Sequence, residues 1–127
     1  MKRGKLLNAE LSGLVASMGH GDLIVVGDAG LPVPSGVVCI DLAVTGGVPE
    51  MFQVLDALLS ELVVERSAIA VEASEDLSEH FRKRDIGTVE TVTHEEFKRI
   101  SADARAIIRT GEFTPYANIC LWSGVAF

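Results

Sequence analysis

The chain has 127 residues, 48% of them apolar, which is enough for one domain (1-127) with a substantial core. Eighteen acidic residues against eleven basic ones give a net charge of -7, which excludes the basic footprint that nucleic-acid phosphates require. No apolar run approaches the ~18 residues of a membrane-spanning helix, and Asn8, Glu10 and Ser12 interrupt any signal-peptide core, so the expected address is the cytoplasm.

Taken in order, Leu11, Leu14, Val15 and Met18 fall at the i, i+3, i+4, i+7 spacing of an amphipathic helix. Asn8 is its expected N-cap and Gly19 its expected left-handed C-cap. His20 then sits just past the negative end of a helix dipole, which favours imidazolium by ~0.3–1 kcal/mol. A histidine between two glycines is ordinarily a polar loop residue, so its neighbours must decide. Leu23 to Val26 reads as a buried strand, and Asp28 opens a loop carrying Gly30, Pro32 and Pro34. Five residues of strand span roughly 16 Å, so His20 and Asp28 meet only if the flanking loops curl toward one another.

Val37 to Val44 is a second strand candidate, interrupted by Asp41, which must face solvent, a partner subunit or a site. Pro49 suits the first turn of a helix running to Leu62, whose Phe52, Leu55, Leu58 and Leu59 follow helical spacing. Ser67 to Ala73 reads as a third strand, and Ser74 to Lys83 as a charged helix with His80 on its solvated face. Thr88 to Val92 is a fourth strand. Thr93-His94-Glu95-Glu96 then has the form of a capping box, with Thr93 as N-cap and Glu96 returning to its backbone. That places His94 in the first turn of a helix with Phe97 and Ile100 inward, and Lys98 on the same face as His94. Ala104 to Thr110 and Asn118 to Val125 complete the strands. The alternation predicts a three-layer α/β/α domain with a mostly parallel sheet of about six strands. Cys39 and Cys120 lie in apolar runs and are expected to be buried reduced thiols.

Chemistry has few places to live. There is no G-x-G-x-x-G at a strand-to-helix turn, no P-loop and no G-x-S-x-G elbow, and the cysteines lack metal-ligand spacing. The remaining candidates for acid–base work are His20, Asp28, His94 with Lys98, and Tyr116 with Asn118, all in loops or at element ends. Each has a bland reading as well: a turn residue, an exposed first turn, a packed aromatic, a turn cap.

Together these blocks resemble a family. G-H-G-D, D-A-G-L-P-V-P, I-D-L-A-V-T-G-G-V-P-E, T-H-E-E-F-K, I-I-R-T-G-E and P-Y-A-N-I occur in the order and spacing of the D-ribose pyranases, from Met1 to Phe127. L-fucose mutarotases share G-H-G-D and the Tyr-x-Asn segment, whereas D-A-G-L-P-V-P and H-E-E-F-K favour the pyranase group. The stretch Ser74 to Gly87 looks shorter than in some members. The resemblance implies a cofactor-independent isomerase that interconverts pyranose and furanose D-ribose. It implies His20 as the catalytic acid, with Asp28, His94, Lys98, Tyr116 and Asn118 contacting the sugar and no metal. It also implies a ring-shaped homo-oligomer, commonly a decamer, with sites at subunit contacts. The rival readings are a mutarotase of another sugar such as L-fucose and a non-catalytic sugar-binding accessory protein.

Overall fold

Four helices and six strands alternate along the chain in a computed structural model that describes all 127 residues. In order they are α1 (Ala9–Ser17), β1 (Leu23–Gly27), β2 (Val38–Asp41), α2 (Met51–Leu59), β3 (Val64–Ala70), α3 (Glu75–Arg82), β4 (Thr88–Val92), α4 (His94–Ser101), β5 (Ala106–Arg109) and β6 (Ile119–Ser123). The strands form one sheet in the order β2-β5-β1-β6-β3-β4. The pairs β1–β5, β2–β5 and β3–β4 are parallel, and both antiparallel pairings belong to β6. The fold class is therefore as the alternation predicts: a mostly parallel sheet with helices on both faces.

The reversed β6 decides where functional groups go. It runs between β1 and β3, so Asn118 at its start lies beside the carboxyl end of β1, while Ser123 at its end lies beside the amino end. Carboxyl ends of parallel strands are where α/β sheets bind ligands.

The two faces are covered unequally. Ile24 and Val26 of β1 join Leu11, Met51, Leu55, Leu58, Leu77 and Phe81 in a 20-residue core beneath α1, α2 and α3. Leu23 and Val25 point the other way into an eight-residue core capped by one long helix side chain, Phe97 of α4. Covered on both sides, β1 is buried at every position, which is why it reads as an unbroken apolar run.

Several boundaries differ from the sequence expectation. The first helix stops at Ser17 with Met18 as an extended C-cap, and the positive φ falls at Gly21 rather than Gly19. Pro49 precedes the N-cap Glu50 instead of occupying the first turn, and α2 ends at Leu59. The strand β2 is four residues, because beyond Leu42 the chain turns into the Thr45–Val48 bridge. As an edge strand it leaves Val38, Cys39 and Asp41 exposed, so Cys39 is not the buried thiol expected of an apolar run. Cys120 is buried, and that burial pushes its thiol up to about 12. The third strand starts three residues early, at Val64. Thr93 caps α4 by accepting the Glu96 N–H at 3.1 Å, but the Glu96 carboxylate pairs with Arg99 and does not return to the cap. No helix is long and apolar enough to cross a membrane.

Candidate active site

Four of the six sequence-derived residues meet at the carboxyl ends of the parallel strands. Asn118, fully buried, accepts the Asp28 N–H on Oδ1 at 2.8 Å and donates from Nδ2 to Asp28 Oδ2 at 3.0 Å. Gly27 permits that approach: a Cβ there would stand 3.1 Å from Asn118 Oδ1. The other Asp28 oxygen accepts the Gly30 N–H at 2.8 Å. The carboxylate is thus held by two donors, with lone pairs left for hydroxyl groups.

The chain reaches Asn118 through a tight turn. Asn118 N–H bonds back to the Tyr116 carbonyl at 2.9 Å, and Tyr116 takes a left-handed φ of 62°, a conformation that non-glycine residues adopt at a cost of ~1–3 kcal/mol and that clusters at functional sites. That turn stands the phenol edge-on to the His94 ring, with centroids 5.2 Å apart. His94 Nδ1 is buried without a hydrogen-bond partner, an unpaired polar atom of the kind a ligand satisfies. One turn on, Lys98 Nζ lies 2.7 Å from Glu95 Oε1, and this ammonium holds the Glu95 carboxyl below its usual range.

Beside Asp28 opens a cavity of about 440 Å³, lined by Asp28, Arg109, Glu112, Phe113 and Thr114 among others. Burial acts to raise the Glu112 carboxyl, but N–H and O–H donors from Met51, Thr114 and Phe113 outweigh it and bring the group below its usual range. Arg109 braces the wall, donating from Nε to the Ala29 carbonyl at 2.9 Å and pairing with Asp41 at 3.0 Å. Asp41 therefore has its partner within the chain. No group of three or more His, Cys, Asp or Glu side chains is placed to hold a metal ion.

His20 is elsewhere. It precedes β1 whereas Asp28 follows it, so roughly 16 Å of strand separates the two ends. The loops do not curl together. Asp28 is occupied with Asn118, and His20 Nε2 instead lies 2.7 Å from Glu65 Oε2. The condition for Asp28 to reach His20, that the flanking loops curl toward one another, is not met within a single chain. The His20 turn is rigidly set: Gly21 N–H bonds the Ser123 carbonyl at 2.8 Å, the Ser123 hydroxyl bonds the Gly19 carbonyl, and Asp22 accepts the Gly19 N–H at 2.9 Å. With its side chain 60% exposed, His20 faces a cavity of about 500 Å³ that Met18, Leu62 and Phe127 also line.

Sequence reasoning missed Glu65, Glu72, Asp22 and Arg109. Glu72 accepts the His94 N–H at 3.0 Å and so anchors the start of α4 from the β3 side. Arg105 bridges Asp22 and the Ser17 carbonyl across 83 and 88 residues of chain. No local spacing announces such pairs. The one available signal was the placement of Glu65 and Arg66 immediately before an apolar run, at a strand entrance.

The comparisons with known proteins agree on one family. The sequence model of the RbsD / FucU transport protein family matches residues 1–126. The D-ribose pyranases of Paracidovorax citrulli and Variovorax paradoxus are each 53% identical to this chain, with full coverage of both sequences. Among solved structures, Bacillus subtilis RbsD complexed with D-ribose superposes with a TM-score of 0.94 at 41% identity, over all of both chains. The Streptococcus pneumoniae fucose mutarotase in complex with L-fucose gives 0.84 at 27%, again over both full chains. On the whole-length match of its sequence and its fold, the chain belongs to the RbsD / FucU transport protein family.

Proposed function

We propose that this protein is a D-ribose pyranase, interconverting the pyranose and furanose forms of D-ribose by acid–base ring opening and reclosure without a cofactor. The observation that carries the reading is the linked set Asp28–Asn118–Tyr116–His94 at the strand carboxyl ends, in a chain 53% identical to D-ribose pyranases over its full length. Asp28, His94, Lys98 and Tyr116 hold the sugar hydroxyls with directional donors and acceptors, and Asn118 fixes Asp28 from behind. His20 is the acid. Histidine is the side chain suited to giving and taking back a proton near neutrality. It protonates the ring oxygen as the C1–O5 bond breaks and the anomeric hydroxyl loses its proton. The freed aldehyde then recloses through O4.

Because His20 and Asp28 lie at opposite ends of β1, the reading requires the imidazole of one subunit to meet the sugar-holding groups of another. Self-association is therefore part of the mechanism, and the resemblance to D-ribose pyranases points to a ring-shaped homodecamer of the 13.6 kDa chain. The setting is cytoplasmic, and no nucleic acid or membrane takes part.

NMR saturation transfer between anomeric signals tests the activity. Ribose pyranose–furanose exchange is expected to accelerate in proportion to protein concentration, with a smaller effect on L-fucose. His20→Ala is expected to lose about 10²–10⁴-fold, the typical contribution of a positioned acid. Greater acceleration of fucose identifies a mutarotase, and saturable ribose binding with no acceleration identifies a binding protein; either outcome overturns the proposal.

A further inference from the structure

At the amino end of the sheet, β3 contains one residue too many for its partner. Val64 pairs with Ser123 and Arg66 with Trp122, so Glu65 is the extra residue of a β-bulge against β6. Bulges re-aim a side chain out of the regular alternation and are frequent beside active sites. Here the bulge is fixed from two sides. Gly87, at φ +66°, packs so closely that a Cβ would stand 2.2 Å from the Glu65 carbonyl carbon and oxygen. At Gly124 a Cβ would stand 3.1 Å from the Glu65 Cβ. Two glycines and a register slip thus aim one carboxylate, and it reaches Nε2 of His20 at 2.7 Å.

We propose that Glu65 is the positioning residue of the catalytic imidazole, holding Nε2 so that Nδ1 is the nitrogen presented to the sugar. The proposal rests on the reading of His20 as the acid. The hydrogen bonds around Gly19, Gly21 and Asp22 fix the backbone of the turn but leave the ring free to rotate about its side-chain bonds. Glu65 removes that freedom. In the imidazolium form Nε2–H stays on Glu65 while Nδ1–H passes to the ring oxygen O5. The C1–O5 bond breaks, the anomeric hydroxyl gives its proton to water, and the aldehyde forms. On reclosure the O4 hydroxyl adds to C1 and returns its proton to Nδ1, and water reprotonates the anomeric oxygen. Glu65 neither gains nor loses a proton, and it touches no reacting atom.

The test is saturation kinetics of ribose exchange in Glu65→Gln, which keeps the shape and removes the charge, beside Glu65→Asp and His20→Ala. Glu65→Gln is expected to lower kcat about 10–100-fold, as orienting partners of a functional histidine do, with KM and melting temperature unchanged. Glu65→Asp, charged but one methylene shorter, is expected to recover part of that loss. If Glu65→Gln exchanges at the wild-type rate while His20→Ala does not, the pair is an ordinary surface contact and the proposal fails alone. A raised KM at unchanged kcat places Glu65 against the sugar and also overturns it. If His20→Ala itself exchanges at the wild-type rate, the assignment of the acid fails first.

Discussion

Asn118 illustrates how a polar residue becomes structural at a site. It is fully buried, and both ends of its amide face Asp28. Asn118→Ala leaves the Asp28 N–H without its partner, at a cost of about 1–3 kcal/mol for a lost buried hydrogen bond. The expected result is a lower unfolding midpoint together with weaker ribose binding, read as a raised KM in the exchange assay. Asp22 gives a prediction in pH. The Gly19 N–H and the Arg105 guanidinium hold its carboxyl below the ordinary 3.8. Its folded value is therefore lower than its unfolded one, so its contribution to stability is complete above 3.8 and lost as pH falls through the folded value. The melting-temperature gap between wild type and Asp22→Asn should be constant above about pH 5 and close below 3.8. Residues such as Asp28, Tyr116 and Asn118 were legible because each follows or precedes a short apolar run at a turn. The partner of His20 was not, because it comes from 45 residues away and is aimed by a bulge that no alternation pattern encodes.

Elements show the same division. The helices were readable from apolar spacing and, for α1 and α4, from their N-caps: Asn8 accepts the Leu11 N–H at 3.0 Å and Thr93 the Glu96 N–H at 3.1 Å. Strand ends were not, because they depend on which neighbour pairs where. Cys39 sits in the run V-V-C-I, which looks buried on both sides, yet its strand lies at a sheet edge. The helix α4 carries two of the proposed sugar-contacting residues on few buried side chains. It places His94 beside Tyr116, carries Lys98 one turn on, and is fixed to the sheet chiefly by Phe97, which is 0% exposed. Phe97→Ala is expected to cost about 3–5 kcal/mol, the usual range for a buried phenylalanine, and to weaken ribose binding in the fraction that stays folded. Denaturant unfolding and exchange kinetics on the same sample check both. By contrast, His80→Ala, outside the site with its side chain 46% exposed, is expected to leave exchange kinetics unchanged and to shift stability by no more than about 0.5 kcal/mol.

For the whole molecule, the direction of β6 matters most. Because β6 runs against its neighbours, Asn118 lies with Asp28 at the carboxyl ends of the parallel strands, while Ser123 lies with the His20 turn at their amino ends. The alternation of strands and helices revealed the layers but not this reversal, since a strand reads the same in either direction. Under the proposed function, one chain holds two unlike halves of a site, and activity then belongs to an assembly of chains. The direct test mixes two variants expected to be inactive, His20→Ala and Asp28→Ala, after dissociating and reassembling them together. In a mixed ring, some sites join the intact His20 of one variant to the intact Asp28 of the other, so an equal mixture should recover up to about a quarter of the wild-type exchange rate. A mixture confirmed to have exchanged subunits, yet no more active than its two components alone, contradicts a site shared between chains.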